Sequence, residues 1–294
     1  MKRPAIPDWK VQQAFAIERH PIRDGVWFSL TQKLNGVRAT FYRGKMVGRN
    51  GTILLGLAHI EAQLKEFADT VFDGELVLKN ADGITDNEAF RKATGIINSD
   101  RENKSEIKFV VFDMVSLDEF DSGHSTSTYR TRNESLQALS SKLEDCVEVL
   151  PVLYSGTDQS KIWGLLETMV SQDKEGLIVN LDVPYSRTRH KGILKVKRFY
   201  TVDLPIIRCE EGTGRLKGTL GSVIVKYLDS EVGVGSGFTD EERHALWGSK
   251  ESLFGTLVEV KYKDISYDKK TGKKSLQFPT FVRMRKDKTE ISYD

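Results

Sequence analysis

Few residue types can form a covalent bond to phosphorus and release it again. One of them, Lys33, stands in "TQKLNGVRATF", residues 31 to 41, between a strand-like run and an Asn-Gly turn, with Arg38 two residues beyond the glycine. A lysine at a strand end usually packs its stem and lets its ammonium snorkel to water. For this stretch alone that reading leads. The alternative is a covalent nucleophile. Such an amine must lose its proton, and at the ordinary lysine pKa of about 10.4 only about one in a few thousand is neutral at pH 7. It needs nearby cations or a metal to lower that pKa, and a rigid turn to aim it. Asn35-Gly36 predicts a tight turn with positive φ. Arg38, on the returning strand, projects to the same face as Gly36, so the turn could present Lys33 to a phosphate.

Other strand ends repeat the theme. Glu75 follows Gly74 in "FDGELV", and Glu175 opens "EGLIVN". A lone Glu in such a place is more often a solvated edge residue, yet two isolated carboxylates at comparable positions could bind Mg²⁺ through oxygen and water. Phe112 in "FVVFDMV" reads as core, or as a stacking plate for a base. "RTRHKGILKVKR", residues 187 to 198, holds six Lys or Arg and no acid. Alternation sends Lys195 and Lys197 to one face and Leu194, Val196 and Arg198 to the other, a pair of lysines suited to a triphosphate or a nucleic-acid backbone.

Positioning these groups requires a sizeable fold. The chain has 294 residues with 39% apolar content, enough for one large domain or two ordinary ones. Its 44 Lys and Arg against 42 Asp and Glu leave a net charge of +2, so total charge does not demand a polyanionic partner. Cys146 and Cys209 lack CxxC spacing, which argues against a disulfide framework or a zinc site and fits a reducing compartment. The N-terminal stretch reads as no signal peptide, and no run approaches the ~18 apolar residues of a membrane span, so a cytoplasmic protein with no membrane partner is expected.

Short runs rich in Val, Ile, Phe and Tyr ("VWFSLTQKL", "VRATFYR", "TVFDGELVLK", "IKFVVFDMV", "EVLPVLY", "GLIVNLD") predict strands. Helical spacing predicts helices over 57–68, 87–97, 132–143 and 160–172. After about residue 200 the pattern becomes five or so short strands with one helix at "TDEERHALW", as in a small barrel of the OB kind. The class is α+β, with domains at 1–201 and 202–294.

The order of these pieces resembles the covalent nucleotidyltransferases, and specifically the small ATP-dependent DNA ligases of phages and bacteria. "KLNG" at 33 to 36 is similar to the nucleophile motif KxDG. "GRNG" at 48, "FDGE" at 72, "FVVFD" at 109, "EGLIV" at 175, "LKVKR" at 194 and a match to RxDK at 285 to 288 follow in the family's order. One KxxG match would be weak, whereas seven in sequence are specific. The resemblance runs from about residue 25 to the C-terminus. It implies an adenylation domain of ATP-grasp-like antiparallel sheets with helices, followed by a C-terminal OB-fold β-barrel.

The same resemblance implies the chemistry. Lys33 attacks the α-phosphate of ATP to give lysyl-AMP, AMP moves to the 5′-phosphate of a nick in duplex DNA, and the neighbouring 3′-hydroxyl displaces it. Lys195, Lys197, Arg285, Asp287 and Lys288 join Lys33 in catalysis. Thr31, Gln32, Arg38, Arg49, Glu75, Phe112 and Arg187, with Lys195 and Lys197, hold the nucleotide or the nick phosphate. Glu75 and Glu175 organise Mg²⁺, for which Mn²⁺ can substitute. Expected partners are ATP and nicked double-stranded DNA, with the protein a monomer needing no protein partner. Asn35 departs from the usual Asp and adds no negative charge beside the amine. "RCEEGTGRLKGTLGSVIVKY" is short where some related ligases carry a DNA-clasping insertion, so this looks like a minimal ligase. Arg215 and Lys217 are its candidate DNA contacts, a solvated basic turn being the equal alternative. NAD⁺ as donor is disfavoured, because NAD⁺-dependent ligases resemble longer chains with an added N-terminal domain. An RNA ligase, an mRNA-capping guanylyltransferase and a non-catalytic OB-fold nucleic-acid binder are the competing readings.

Overall fold

The structure, a computed structural model, describes residues 3–143, 145–197, 199–263, 265–267 and 271–293. Arg198, expected on the apolar face of its strand, lies outside them. The chain divides into two compact units, Met1–Lys197 and Arg198–Asp294.

Two five-stranded sheets build the first unit. One runs Gln13–Ala16, Arg189–Val196, Leu177–Leu181, Phe28–Gln32, Val152–Gly156 in spatial order, and the other Lys45–Gly48, Val37–Tyr42, Thr70–Leu78, Ile107–Ser116, Val147–Val149. Pairing is antiparallel except at Gln13–Ala16 with Arg189–Val196 and at Ile107–Ser116 with Val147–Val149. Each sheet hides one apolar face beneath helices. In the first, Phe28, Leu30, Leu177, Val179, Leu194 and Val196 pack on Ile162, Leu166 and Met169, which recur at helical spacing along Ser160–Ser171. In the second, Phe41, Phe72, Leu76 and Phe109 pack on Ile60 and Leu64 of Ala58–Leu64, Ala93 and Ile97 of Asp86–Asn98, and Leu136 of Tyr129–Ala138. Burying each large apolar side chain is worth about 1.5–3 kcal/mol. That gain fixes which face meets the helices, and strict alternation then sends the polar residues between them to the opposite face.

The helix expected over 57–68 is Ala58–Leu64 followed by a 3-10 turn, and that over 132–143 starts earlier, at Tyr129, and ends at Ala138. A further helix, Leu117–Ser122, is too short for its period to register in sequence. Ser116, whose hydroxyl accepts from the Glu119 N–H, starts it.

The second unit is an OB-type sheet in the order Ser230–Val234, Leu220–Tyr227, Tyr200–Glu211, Leu257–Tyr262, Thr280–Met284. Helix Asp240–Gly248 opens with a capping box between Thr239 and Glu242. The expected barrel is not closed. Among the described residues the two edges approach through a single parallel bridge, Ser236 to Thr280, with the Phe281 N–H donating to the Ser236 carbonyl at 2.8 Å. No helix among the described residues is long and apolar enough to cross a membrane.

Candidate active site

The polar faces of the first unit's sheets line a cleft of about 350 Å³ that contains Thr31, Gln32, Lys33, Lys195 and Lys197 from the first sheet and its margins, and Arg38, Arg49, Glu75 and Phe112 from the second. Lys33 follows the strand Phe28–Gln32 directly. Its backbone N–H donates to the Gly176 carbonyl at 2.8 Å, which lays the "EGL" segment alongside it. Gly176 has φ +141°, and a Cβ there would drive into the Val196 carbonyl, so only glycine lets these chains approach so closely.

That approach delivers Glu175. One carboxylate oxygen accepts from the Lys33 ammonium and the other from the Lys197 ammonium. The Glu175 side chain is 9% exposed and the two lysines about a fifth. Burial pushes the Glu175 carboxyl up, but the Lys33 charge and the Lys197 hydrogen bond outweigh it and hold the group below its ordinary value.

The Asn35-Gly36 turn differs from expectation, since neither residue has positive φ. Gly36 is required for a different reason. A Cβ there would lie 2.5 Å from the Leu76 carbonyl oxygen and 2.6 Å from Glu75 Cγ. The bare backbone at 36 therefore lets Glu75 reach the space beside Lys33. Burial, opposed by Arg38 and Lys33, pushes the Glu75 carboxyl up to about 7.

Arg38 is fixed from below. Its Nε and one terminal nitrogen donate to the two oxygens of Asp73, both at 2.6 Å, and the guanidinium lies 4.5 Å over the Phe112 ring. Tyr185 Oη also donates to Asp73, at 2.8 Å. Across the strand pair, Asp73 faces Asp113, which is buried and held by a second bidentate arginine, Arg132, at 2.8 and 2.9 Å. Arg49 donates to Gln13 Oε1 at 3.1 Å, and Arg189 reaches the same oxygen at 3.4 Å.

Arg187 is not brought to this cleft. Its guanidinium donates to the carbonyls of Lys10 and Phe120 and lies over the Phe120 ring, 4.6 Å from its centroid. Arg189, two residues on, lines the cleft instead. Other lining residues that the sequence reading passed over are Gln12, Gln13, Asp73 and Asn180. Of these only Asp73 carried a signal, standing two residues before Glu75 inside "FDGE".

In the second unit Arg285, Asp287 and Lys288 form one cluster. Arg285 donates to both oxygens of Asp287, at 3.0 and 2.8 Å, and to Asp203, at 3.2 and 2.9 Å. Lys288 reaches Asp203 at 2.8 Å. Asp203, a buried strand residue with no motif to mark it, is the centre of the cluster. Arg215 pairs with Asp240 at 2.9 Å, and Lys217 is exposed.

Among the described residues no three His, Cys, Asp or Glu side chains are arranged to hold a metal. Mg²⁺ keeps several waters and takes one or two carboxylates together with substrate phosphates. Glu75 and Glu175, each near enough to Lys33 to feel its charge, are a donor set that fits.

The chain as a whole is similar to known proteins. The family model for the ATP dependent DNA ligase domain matches residues 26–197, and that for the DNA ligase OB-like domain matches residues 211–285. A DNA ligase of Haemophilus influenzae is 24% identical over 259 residues, 87% of this chain and 86% of that one. A solved structure titled "Pmar-Lig_Pre." superposes with a TM-score of 0.79 at 27% identity, covering 96% of this chain and 68% of that one. A Lig E DNA ligase structure, described as DNA binding with a minimal scaffold, shares the fold with a TM-score of 0.67 at 21% identity, covering 94% and 99%. With the ligase domain model spanning more than half of its residues and the OB-like model following in the family's order, the chain belongs to the ATP-dependent DNA ligases.

Proposed function

We propose that this ligase seals nicks in duplex DNA, with Lys33 as the residue that carries AMP. The observation that supports the reading most directly is the convergence of Lys33 and Lys197 on Glu175 at the margin of a cleft that also holds Lys195, Arg38 and Arg49. Lys33 gives up a proton to solvent and its nitrogen attacks the α-phosphorus of ATP. An N–P bond forms, the bond from that phosphorus to the bridging oxygen breaks, and pyrophosphate leaves. Charge on the reacting phosphoryl oxygens is met by the Lys195 and Lys197 ammoniums. Thr31 and Gln32 border the base, Phe112 stacks on it, and Glu75 accepts from a ribose hydroxyl. Glu75 and Glu175 would hold Mg²⁺, which supplies further neutralisation of phosphate charge. Arg38 and Arg49 hold the nucleotide phosphate or the 5′-phosphate of the nick. The 5′-phosphate oxygen takes AMP from Lys33, and the 3′-hydroxyl then displaces AMP. Arg285, Asp287 and Lys288 act on the attack on ATP by orienting the departing pyrophosphate.

Labelled ATP, GTP and NAD⁺, each incubated with the protein and Mg²⁺ and resolved on a denaturing gel, test the donor and the nucleophile together. ATP should give a covalent adduct that Lys33→Ala abolishes. An adduct of undiminished yield in that variant would falsify the assignment of Lys33, and an adduct from GTP alone would favour the capping reading. Nicked DNA should then be sealed faster than a nick in RNA, and by a protein that sediments as a monomer.

A further inference from the structure

Arg38 and Arg132 each have a buried aspartate, and Arg187 has two carbonyls. Arg49 and Arg189 differ. Both are exposed where they line the cleft, and among the described residues neither meets a carboxylate. What they do meet is the same atom. Gln13 Oε1 accepts from a terminal nitrogen of Arg49 at 3.1 Å and from one of Arg189 at 3.4 Å. Two like charges are thus gathered on a neutral oxygen, an arrangement that costs free energy until an anion enters. The pair is drawn from both sheets: Arg49 directly follows the strand Lys45–Gly48, whereas Arg189 opens Arg189–Val196 and is the register partner of Gln13. Gln13 is itself fixed. Its backbone N–H donates to the Thr188 carbonyl at 3.0 Å, and the carbonyl of Gln12 accepts from Arg38 at 3.3 Å. Arginine can only donate, so the amide must turn its oxygen to the pair.

We propose that Gln13 is a positioning residue for the transfer of AMP to DNA, its side-chain oxygen holding Arg49 and Arg189 as a two-armed clamp for the phosphate monoester at the 5′ side of the nick. Place along the strand supports a phosphate other than the one Lys33 attacks. Ala16, three residues after Gln13, pairs with Lys195, which sets the clamp's strand position about 10 Å further along the sheet than that of Lys195. Charge supports the monoester, which carries about two negative charges at pH 7 and offers oxygens to two guanidiniums at once. Neutrality at residue 13 is then essential. A glutamate there would hold both arginines more firmly and cancel the charge they present, so a change that favours the fold would impair the site.

This proposal rests on the nick-sealing reading, and the test separates the two. Wild type, Gln13→Ala and Gln13→Glu are compared in three assays, with thermal unfolding of each: binding without Mg²⁺ to nicked duplexes that end in a 5′-phosphate or a 5′-hydroxyl, single-turnover lysyl-AMP formation from ATP, and single-turnover passage of AMP from the protein to the nick. Wild type should prefer the 5′-phosphate about tenfold, the scale of one charge-assisted hydrogen bond. Both variants should lower that preference to about twofold or less and slow AMP transfer to DNA about tenfold, while lysyl-AMP formation stays within about twofold of wild type. Gln13→Glu should do so with an unfolding midpoint no lower than that of wild type. A glutamate variant with the wild-type preference would make Gln13 a structural tie only and overturn the proposal. So would a wild type indifferent to the 5′-phosphate, or variants that slow lysyl-AMP formation as much as transfer, which would give the arginines to ATP. A wild type without adduct overturns the Lys33 assignment instead. The binding comparison still reads the clamp in that case, a 5′-phosphate preference lost in both variants supporting it and an unchanged one overturning it.

Discussion

Glu175 accepts from Lys33 through one carboxylate oxygen and from Lys197 through the other, so the proposed nucleophile and a proposed phosphate-binding lysine share a single counter-ion. Removing that charge should do two things. Glu175→Gln leaves two partly buried ammoniums facing each other with a neutral group between them. Their exposure of about a fifth discounts the cost of a broken buried pair, and a loss of about 1–3 kcal/mol is expected. Lysyl-AMP formation should fall much further than this loss accounts for at a temperature where the variant is folded. Equal stability and equal rate would show that the pair carries neither role.

Gly36 offers a test in which charge plays no part. An added methyl group meets a backbone oxygen at 2.5 Å, and backbone cannot turn aside as a side chain can. Gly36→Ala should cost about 1–3 kcal/mol by overpacking and should displace the Lys33 turn. Denaturant unfolding measures the first, and adduct yield per folded molecule measures the second. An alanine variant with wild-type values in both would mean that the strands can part here without consequence.

The second unit's cluster makes a selective prediction. Replacing Asp287 and Lys288 with Ala should slow adduct formation from ATP strongly while largely sparing the closure of a nick that already carries AMP on its 5′-phosphate. Asp203→Asn should follow the same pattern, because Arg285 and Lys288 both rest on its carboxylate. Equal losses in the two assays would point to misfolding or to a general DNA contact.

Acid titration reports on the same cluster by another route. The Arg285 hydrogen bond pulls the Asp287 carboxyl from its ordinary 3.8 down to about 2. A depressed folded-state value means that the interaction stabilises the protein above the ordinary value and that the benefit is lost as pH falls through about 2. Wild type should therefore unfold at a higher denaturant midpoint than Asp287→Asn at pH 6, and the gap should close between about pH 4 and pH 2. A gap that persists at pH 2 would assign the effect to something other than ionisation.

What could be read in the sequence followed chemical distinctiveness. Lys33, Glu75, Glu175, Lys195 and Lys197 stand out because charged residues at strand ends interrupt apolar runs, and alternation alone sets Lys195 and Lys197 apart from buried Leu194 and Val196. Asp203 was not legible, and Asp73 was marked only by its place in "FDGE", since an Asp within a strand declares nothing about the arginine that will meet it from another strand. Gln13 was hidden for a different reason. Its strand is four residues long and gains its meaning from parallel pairing with Arg189–Val196, more than 170 residues away. Arg187 and Arg189 show how local the remaining ambiguity is. Both belong to one basic run, but Arg187 precedes the strand and is held by the carbonyls of Lys10 and Phe120, whereas Arg189 opens the strand and lines the cleft. The turn at Gly36 was foreseen with the wrong cause, because a glycine's need for room depends on neighbours that the local sequence does not name.

Asp73 and Asp113 sit directly across from each other on paired strands, where two bare carboxylates would repel. Each is instead clamped by an arginine, Arg38 in one case and Arg132 in the other. Sliding one strand past the other by a single residue would reverse which way its side chains point, stranding a charged group in the interior without its mate. Hydrophobic side chains tolerate approximate neighbours, but these four accept only one alignment. The quartet thus works as a checksum on assembly: a sheet that pairs out of register fails electrostatically before any substrate is bound, and the arginine offered to the cleft is correctly aimed only in molecules that have passed.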